Sequence, residues 1–260
     1  MERSHGMFPR IEYCVCEFDP FGRYSAGIVC SQKPEDTCLL KLNRSLALLR
    51  LSYYDAALKD AKESTVSADT PMKVKGLHRA ARCFYQLGTF GECQKFLLKL
   101  LEKDPHNETA LKDLSRTEVR LLEEAHGKYD FGSMYTAAKI DPPILDNATY
   151  IGPVCVKPSK GRGRGLFTTQ GVAAGDLLLC EKAFSYCHAS DDASAPSNIS
   201  ILINTHTNRM TVGTQSELIT ATIQRLIHAP SLSPALTSLH HGDYEAIEMK
   251  AVDEQLPVDT

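Results

Sequence analysis

The stretch FYQLGTFGECQKFL (84–97) repeats the pattern of LLRLSYYDAALKDA (48–61) thirty-six residues earlier. Leu51 matches Leu87, Ser52 matches Gly88, Tyr54 matches Phe90, Ala57 matches Cys93 and Ala61 matches Leu97. The pattern is that of a helix pair. Leu77, Ala80, Ala81, Phe84 and Leu87 recur at helical spacing and make the first helix of the second copy amphipathic. Gly88 takes the left-handed conformation that ends that helix. Phe90 packs over the turn, and the small Cys93 admits the second helix at close range. Asp104-Pro105 then stops the second helix. A third copy is read in EEAHGKYDFGSMYTAAK (123–139), with Gly127 in the place of Gly88, Tyr129 in that of Phe90 and Gly132 in that of Cys93.

This arrangement resembles the tetratricopeptide repeat, whose period is about 34 residues, and the loop STVSADTP (64–71) absorbs the two extra. Helical repeats are expected over 37–145, with the first copy lacking the start of its helix. Such an array implies a concave groove for a peptide or partner protein. Lys73, Lys75, Arg79 and Arg82 either line that groove, where they suit an acidic C-terminus, or form an ordinary solvated face.

Residues 1–36 hold Pro9, Pro20, Gly22, Gly27 and Pro34 with no sustained period, and are expected to be irregular or disordered. Cys14, Cys16, Cys30 and Cys38 lack the paired spacing of a structural zinc site. Adjacent His240 and His241, and the separate His206, make no metal motif either, so no metal ligand is assigned. The nine cysteines are odd in number and irregularly spaced. Several sit in apolar patterns, and the reading is a reduced protein of the cytoplasm and/or nucleus. The net charge of −3 gives no reason for nucleic-acid or membrane partners, and no apolar run approaches a membrane span. The oligomeric state is not legible.

After Pro142-Pro143 the texture changes. PVCVKPS (153–159) alternates, GLFTTQGVAAGDLLLCEKAFSYC (165–187) has strand-like runs, HASDDASAPSN (188–198) is a polar loop, and 199–228 reads as mostly helical. Between the first two strands lies SKGRGRGLFTT (159–169), with glycines at 161, 163 and 165. By spacing alone this is a permissive hairpin turn or a place where backbone approaches a ligand closely. The dinucleotide fingerprint fails because position 168 is threonine, and the lysine-Ser/Thr pair of a P-loop is absent. An arginine-glycine RNA patch lacks interleaved aromatics.

In context, GPVCVKPSKGRGRGLFTTQGVAAGDLLLCEKAF (152–184) resembles the opening segment of SET-domain lysine methyltransferases. Together with the repeats, the chain is similar to fungal-type TPR–SET proteins, relatives of the SET-and-MYND group. The resemblance implies an α+β fold, with tetratricopeptide-like hairpins followed over 150–260 by an incomplete β-rich SET domain with a helical insertion. It also implies S-adenosylmethionine as cofactor, contacted by Arg162, Gly163, Arg164 and Gly165. The family completes its site with a later Asn-His segment and a tyrosine near the transfer channel. This sequence has no Asn-His dipeptide, and its last tyrosine, Tyr244, lies in HHGDYEA without the family's surroundings. No catalytic residue is assigned. The expectation is a chain that ends before the catalytic half, does not bind the cofactor tightly, and is inactive alone. The alternative is a non-catalytic adaptor.

Overall fold

The computed structural model describes residues 20–66, 69–140, 143–188, 200–204, 208–239 and 242. Six helices follow one another, each packed on the next: α1 (Pro20–Cys30), α2 (Pro34–Arg50), α3 (Tyr54–Ser64), α4 (Thr70–Gln86), α5 (Phe90–Leu101) and α6 (Glu108–His126). A short α7 (Phe131–Ala137) follows, then β1 (Tyr150–Ile151), β2 (Val154–Pro158), β3 (Arg164–Thr168), β4 (Leu179–Cys180), β5 (Ile201–Asn204) and β6 (Arg209–Val212). The chain closes its described part with α8 (Thr214–His228) and α9 (Ser233–Thr237). The fold is α+β, as the sequence indicates.

The two matched stretches make the same turn. Thr89 N–H donates to Phe84 O and Tyr53 N–H to Leu48 O, both at 2.9 Å. Leu87 N–H and Leu51 N–H reach Cys83 O and Ala47 O, both at 3.0 Å. These bonds satisfy the last carbonyls of each helix. The residue between adopts positive φ in both, +75° at Gly88 and +67° at Ser52. A Cβ on Gly88 would meet nothing within 4 Å, so the requirement there is conformational, not steric crowding. Gly88→Ala should therefore cost about 1–2 kcal/mol, read by urea denaturation, while Ser52→Gly should stabilise slightly. Equal losses at both sites would contradict this account of the turn.

The core lies between the hairpins. Leu77, Ala81, Phe84, Cys93, Leu97, Leu100 and Ala110 form one buried cluster, and Leu48, Leu49, Ala57 and Cys83 another. Phe90 is buried with its ring edge-on to Tyr85, and Cys93 lies against Thr117 at 3.4 Å. Between α2 and α3, Arg44 clasps the buried Asp60 through Nε and Nη2 (2.7 and 2.8 Å) and also donates to Ser25 of α1 at 3.0 Å.

Four expectations are corrected. The irregular segment expected over 1–36 contains α1 and the start of α2; residues 1–19 lie outside the described set. Pro20 and Pro34 are the first residues of helices, where a missing N–H costs nothing, so they start helices instead of breaking them. Gly27 lets α1 approach Leu40 of α2, whose Cδ1 would stand 3.3 Å from an added Cβ. For the same reason α2 does not lack its beginning: it has 17 residues, as α4 does.

The third copy follows a different frame. Gly127 is left-handed (φ +62°), but α7 starts at Phe131 behind the capping Asp130, which accepts from Ser133 N at 3.0 Å. Tyr129 is thus not the counterpart of Phe90; its hydroxyl donates to Ala148 O at 2.8 Å. Gly132 is exposed, unlike Cys93, and α7 has no buried residue. Finally, the run expected to be helical from 199 opens with a hairpin: β5 pairs antiparallel with β6, Ile201 opposite Val212 and Asn204 opposite Arg209. Asn208 (φ +52°) stands immediately before β6. Helix begins only at Thr214. Most of the polar loop 188–198 lies outside the described residues.

Among the described residues the strands form three separate two-stranded antiparallel ribbons: β1 with β4, β2 with β3, and β5 with β6. In the central ribbon only Val154 is buried; Val156, Leu166 and Phe167 are exposed.

Candidate functional site

The glycine turn joins β2 to β3, with Val154 opposite Thr168 and Pro158 opposite Arg164. Ser159 N–H donates to Gly163 O at 2.7 Å and Arg162 N–H to Ser159 O at 2.9 Å. Gly161 (φ +71°) and Gly163 (φ +74°) supply the left-handed residues such a tight loop needs. Added Cβ atoms at either would meet nothing within 4 Å. Gly165 differs: its strand position lies under the Phe167 ring, 3.0 Å from an added Cβ.

The four residues implicated in cofactor contact are brought to one loop, but they do not act alike. Arg164 reaches across to Ser238 O at 2.9 Å. Arg162 and the neighbouring Lys160 are exposed and make no side-chain hydrogen bond or ion pair among the described residues. Their cations suit a carboxylate. Nothing among the described residues walls the turn in, since residues 160–164 are all exposed. The residues present fit the carboxylate end of an S-adenosylmethionine and not its adenosine end, so no transfer step is derived from them.

A second candidate is a groove between α4 and α6, about 280 Å³ in volume and lined by His78, Arg82, Tyr85, Thr109, Asp113 and Arg116 among others. His78 Nε2 lies 2.8 Å from Asp113 Oδ2. Of the four cations expected to line a groove, only Arg82 does, and it makes no hydrogen bond or ion pair among the described residues. Arg79 is taken by α2, donating to Leu42 O and, at 3.5 Å, to Ser45 Oγ. Lys73 and Lys75 do not line it.

The groove ends at a cluster that sequence reasoning missed. Residues 143–149 run without helix or strand along α6. The Asp146 carboxylate accepts from Tyr85 Oη (2.8 and 3.0 Å) and Arg116 Nε (2.7 Å), and pairs with Arg120 Nη1 at 3.0 Å. The Arg116 guanidinium also stacks over the Tyr85 ring at 4.4 Å. Behind it, Arg120 donates to Asp146 O and, at 2.6 Å, to Glu123 Oε1, while Glu123 Oε2 accepts from Ala148 N–H at 2.7 Å. The signal available in the sequence was Arg116, Arg120 and Glu123 at positions i, i+4 and i+7, which share one face of α6.

Burial works against the charge of Asp146, but Arg116 and Tyr85, hydrogen-bonded to it, and nearby Arg120 hold its carboxyl below the ordinary range. The Tyr85 hydroxyl is pushed up to about 12 by burial and by Asp146. A depressed carboxyl contributes stability that is present above its unfolded value, about 3.9, and lost as pH falls through the lower folded value. The thermal midpoint should thus fall more steeply below about pH 4 in the native chain than in Asp146→Asn. Parallel curves would contradict the assignment.

The other end of the strand-bearing segment returns to the first hairpin. Ser231 donates through N–H and Oγ to Asp55 (2.7 and 2.8 Å), and the His228 and Tyr53 rings lie 4.0 Å apart. Among the described residues no group of three or more His, Cys, Asp or Glu is placed to hold a metal ion. No described helix is long and apolar enough to cross a membrane. Cys14, Cys16, His206, His240 and His241 lie outside the described residues.

No family model matches the chain, and no solved structure does. Among curated proteins it is similar to one named Methyltransferase from Gibberella zeae, 39% identical over 237 residues, which are 91% of this chain and 32% of that protein. It is 28% identical over 177 residues to human Protein-lysine N-methyltransferase SMYD4, covering 62% of this chain and 22% of the other. A DNA polymerase interacting tetratricopeptide repeat-containing protein of 47 kDa from Drosophila melanogaster is 31% identical over 93 residues, 36% of this chain and 23% of that protein. The chain is therefore a relative of methyltransferases, protein-lysine N-methyltransferases among them, and spans about a third or less of the length of these relatives.

Proposed function

We propose that these 260 residues form the repeat-bearing and cofactor-turn portion of a SET-type, S-adenosylmethionine-dependent protein-lysine methyltransferase, and that they do not transfer methyl groups by themselves. One observation carries this reading. The turn holds Gly161 and Gly163 left-handed in open space and the exposed cations Lys160 and Arg162, which suit a carboxylate, yet no described residue forms an opposing wall. Methyl transfer needs the amine and the sulfonium methyl held at attack distance in a channel, and no described surface here encloses one. The relatives named methyltransferase support the activity class, and the 93-residue similarity to a tetratricopeptide-containing protein supports naming the helical hairpins as such repeats. The proposed setting is cytoplasmic or nuclear, where the seven described cysteines remain thiols. Radiolabelled methyl transfer to a lysine-rich protein mixture tests the proposal. The isolated chain should show none, and a longer polypeptide joining it to an Asn-His-bearing SET segment should show turnover. Turnover by the isolated chain would overturn it.

A second reading is favoured by the α4–α6 groove with Arg82, unpaired among the described residues: a protein-interaction array that binds an extended peptide and needs no cofactor.

A further inference from the structure

We propose that residues 143–148 are a displaceable latch. An extended peptide bearing an acidic side chain, arriving along the α4–α6 groove, takes Tyr85 and Arg116 from Asp146 and releases the linker from α6. The inference rests on the groove reading above and adds to it the chemistry of the partner and the event that binding triggers.

Three observations converge. First, the linker is already bound as an extended acidic peptide would be. Its backbone is held by Arg120 and Glu123, and its carboxylate by Tyr85, Arg116 and Arg120. This face of the array thus displays its own specificity. Second, Tyr85 and Arg116 belong to both structures: they hold Asp146 and also line the adjoining groove, where Arg82 adds a cation without a partner among the described residues. A peptide with a second acid meets Arg82 one turn before Tyr85 on α4. Third, the latch is open to competition. The Asp146 side chain keeps 41% of its surface exposed, so a rival carboxylate reaches the same donors from solvent. Behind it, Arg120 Nε and Asn147 Oδ1 are buried without a hydrogen-bond partner among the described residues. Buried unsatisfied groups cost free energy, so docking is held against a standing penalty.

Release has a defined consequence. The linker leads directly into β1, which itself packs on α6, and so to the glycine turn; its bonds to α6 are among those that hold that segment against the helices. Partner binding on the array would then alter the placement of the strands that carry Arg162 and Gly163.

The test uses the full 260-residue chain and a fluorescein-labelled peptide of its own residues 143–149 (PILDNAT), read by anisotropy. The attached linker competes at millimolar effective concentration, so the native chain should bind the probe weakly. Asp146→Ala in the chain should tighten binding by about tenfold or more. A probe carrying alanine in place of its aspartate should lose that gain, and adding Tyr85→Phe to the chain should reduce it. Equal binding to the native and Asp146→Ala chains would overturn the latch and leave the groove standing. Binding to neither would overturn both. Should Asp146→Ala fail to fold, the isosteric Asp146→Asn takes its place with the same expected direction.

Discussion

Glu123→Ala is expected to lower the stability of the chain by about 3–5 kcal/mol, because it breaks a buried ion pair on one side only. Glu123 is buried, its carboxylate accepting at 2.6 Å from Arg120 and at 2.7 Å from the Ala148 N–H. Removing it leaves the buried Arg120 with Asp146 as its remaining carboxylate, and leaves the Ala148 N–H without its acceptor. Glu123→Gln keeps the shape and an oxygen for Ala148 but loses the charge, so it should fall between. Urea denaturation gives the size of the loss, and hydrogen exchange gives its place: protection should vanish first over 144–150. A loss under about 1 kcal/mol would mean that the cluster is no more than a surface ion pair.

The second large effect is expected at Leu97. It is fully buried in the cluster of Leu77, Ala81, Phe84, Cys93, Leu100 and Ala110. Leu97→Ala should cost about 2–5 kcal/mol, the range of a truncated core leucine whose surroundings collapse only in part. The repeat makes this informative, for the matching position of the first hairpin is Ala61, equally buried. Alanine stands there where α4 comes close at Gly76, whose added Cβ would lie 3.2 Å from Ala61 O. Around Leu97 the leucines and Phe84 are spaced for the larger side chain. The adjacent Leu98 faces solvent, so Leu98→Ala should stay within about 0.5 kcal/mol. Similar losses at 97 and 98 would contradict the assigned face of α5.

These comparisons show where the sequence was readable. The Ser52 and Gly88 turns were legible because a helix that reverses in three residues needs a left-handed position, and the residues around it recur at one offset. The β2–β3 turn was legible for the same reason, through Gly161 and Gly163. What escaped notice had no local signature. Pro20 and Pro34 look like breakers until a helix is known to start on them. Ile201–Asn204 is a short apolar run, which periodicity alone does not separate from a buried helix. The Asp146 latch joins α4, α6 and a linker across as many as 61 positions of sequence, and only the folded chain brings Tyr85 to Asp146. The turn proposed to meet a carboxylate was visible as a turn, through its glycines. The exposure of that turn depends on how the ribbons pair, which spacing does not reveal.

The sharpest measurement is isothermal titration of S-adenosylmethionine into the isolated 260-residue chain. If the arginine–glycine turn supplies only the carboxylate end of the site, no stoichiometric heat should appear at micromolar protein, and Arg162→Ala should change nothing in the trace. A tight one-to-one isotherm abolished by Arg162→Ala would contradict the account, because the turn would then be a complete binding site within these residues.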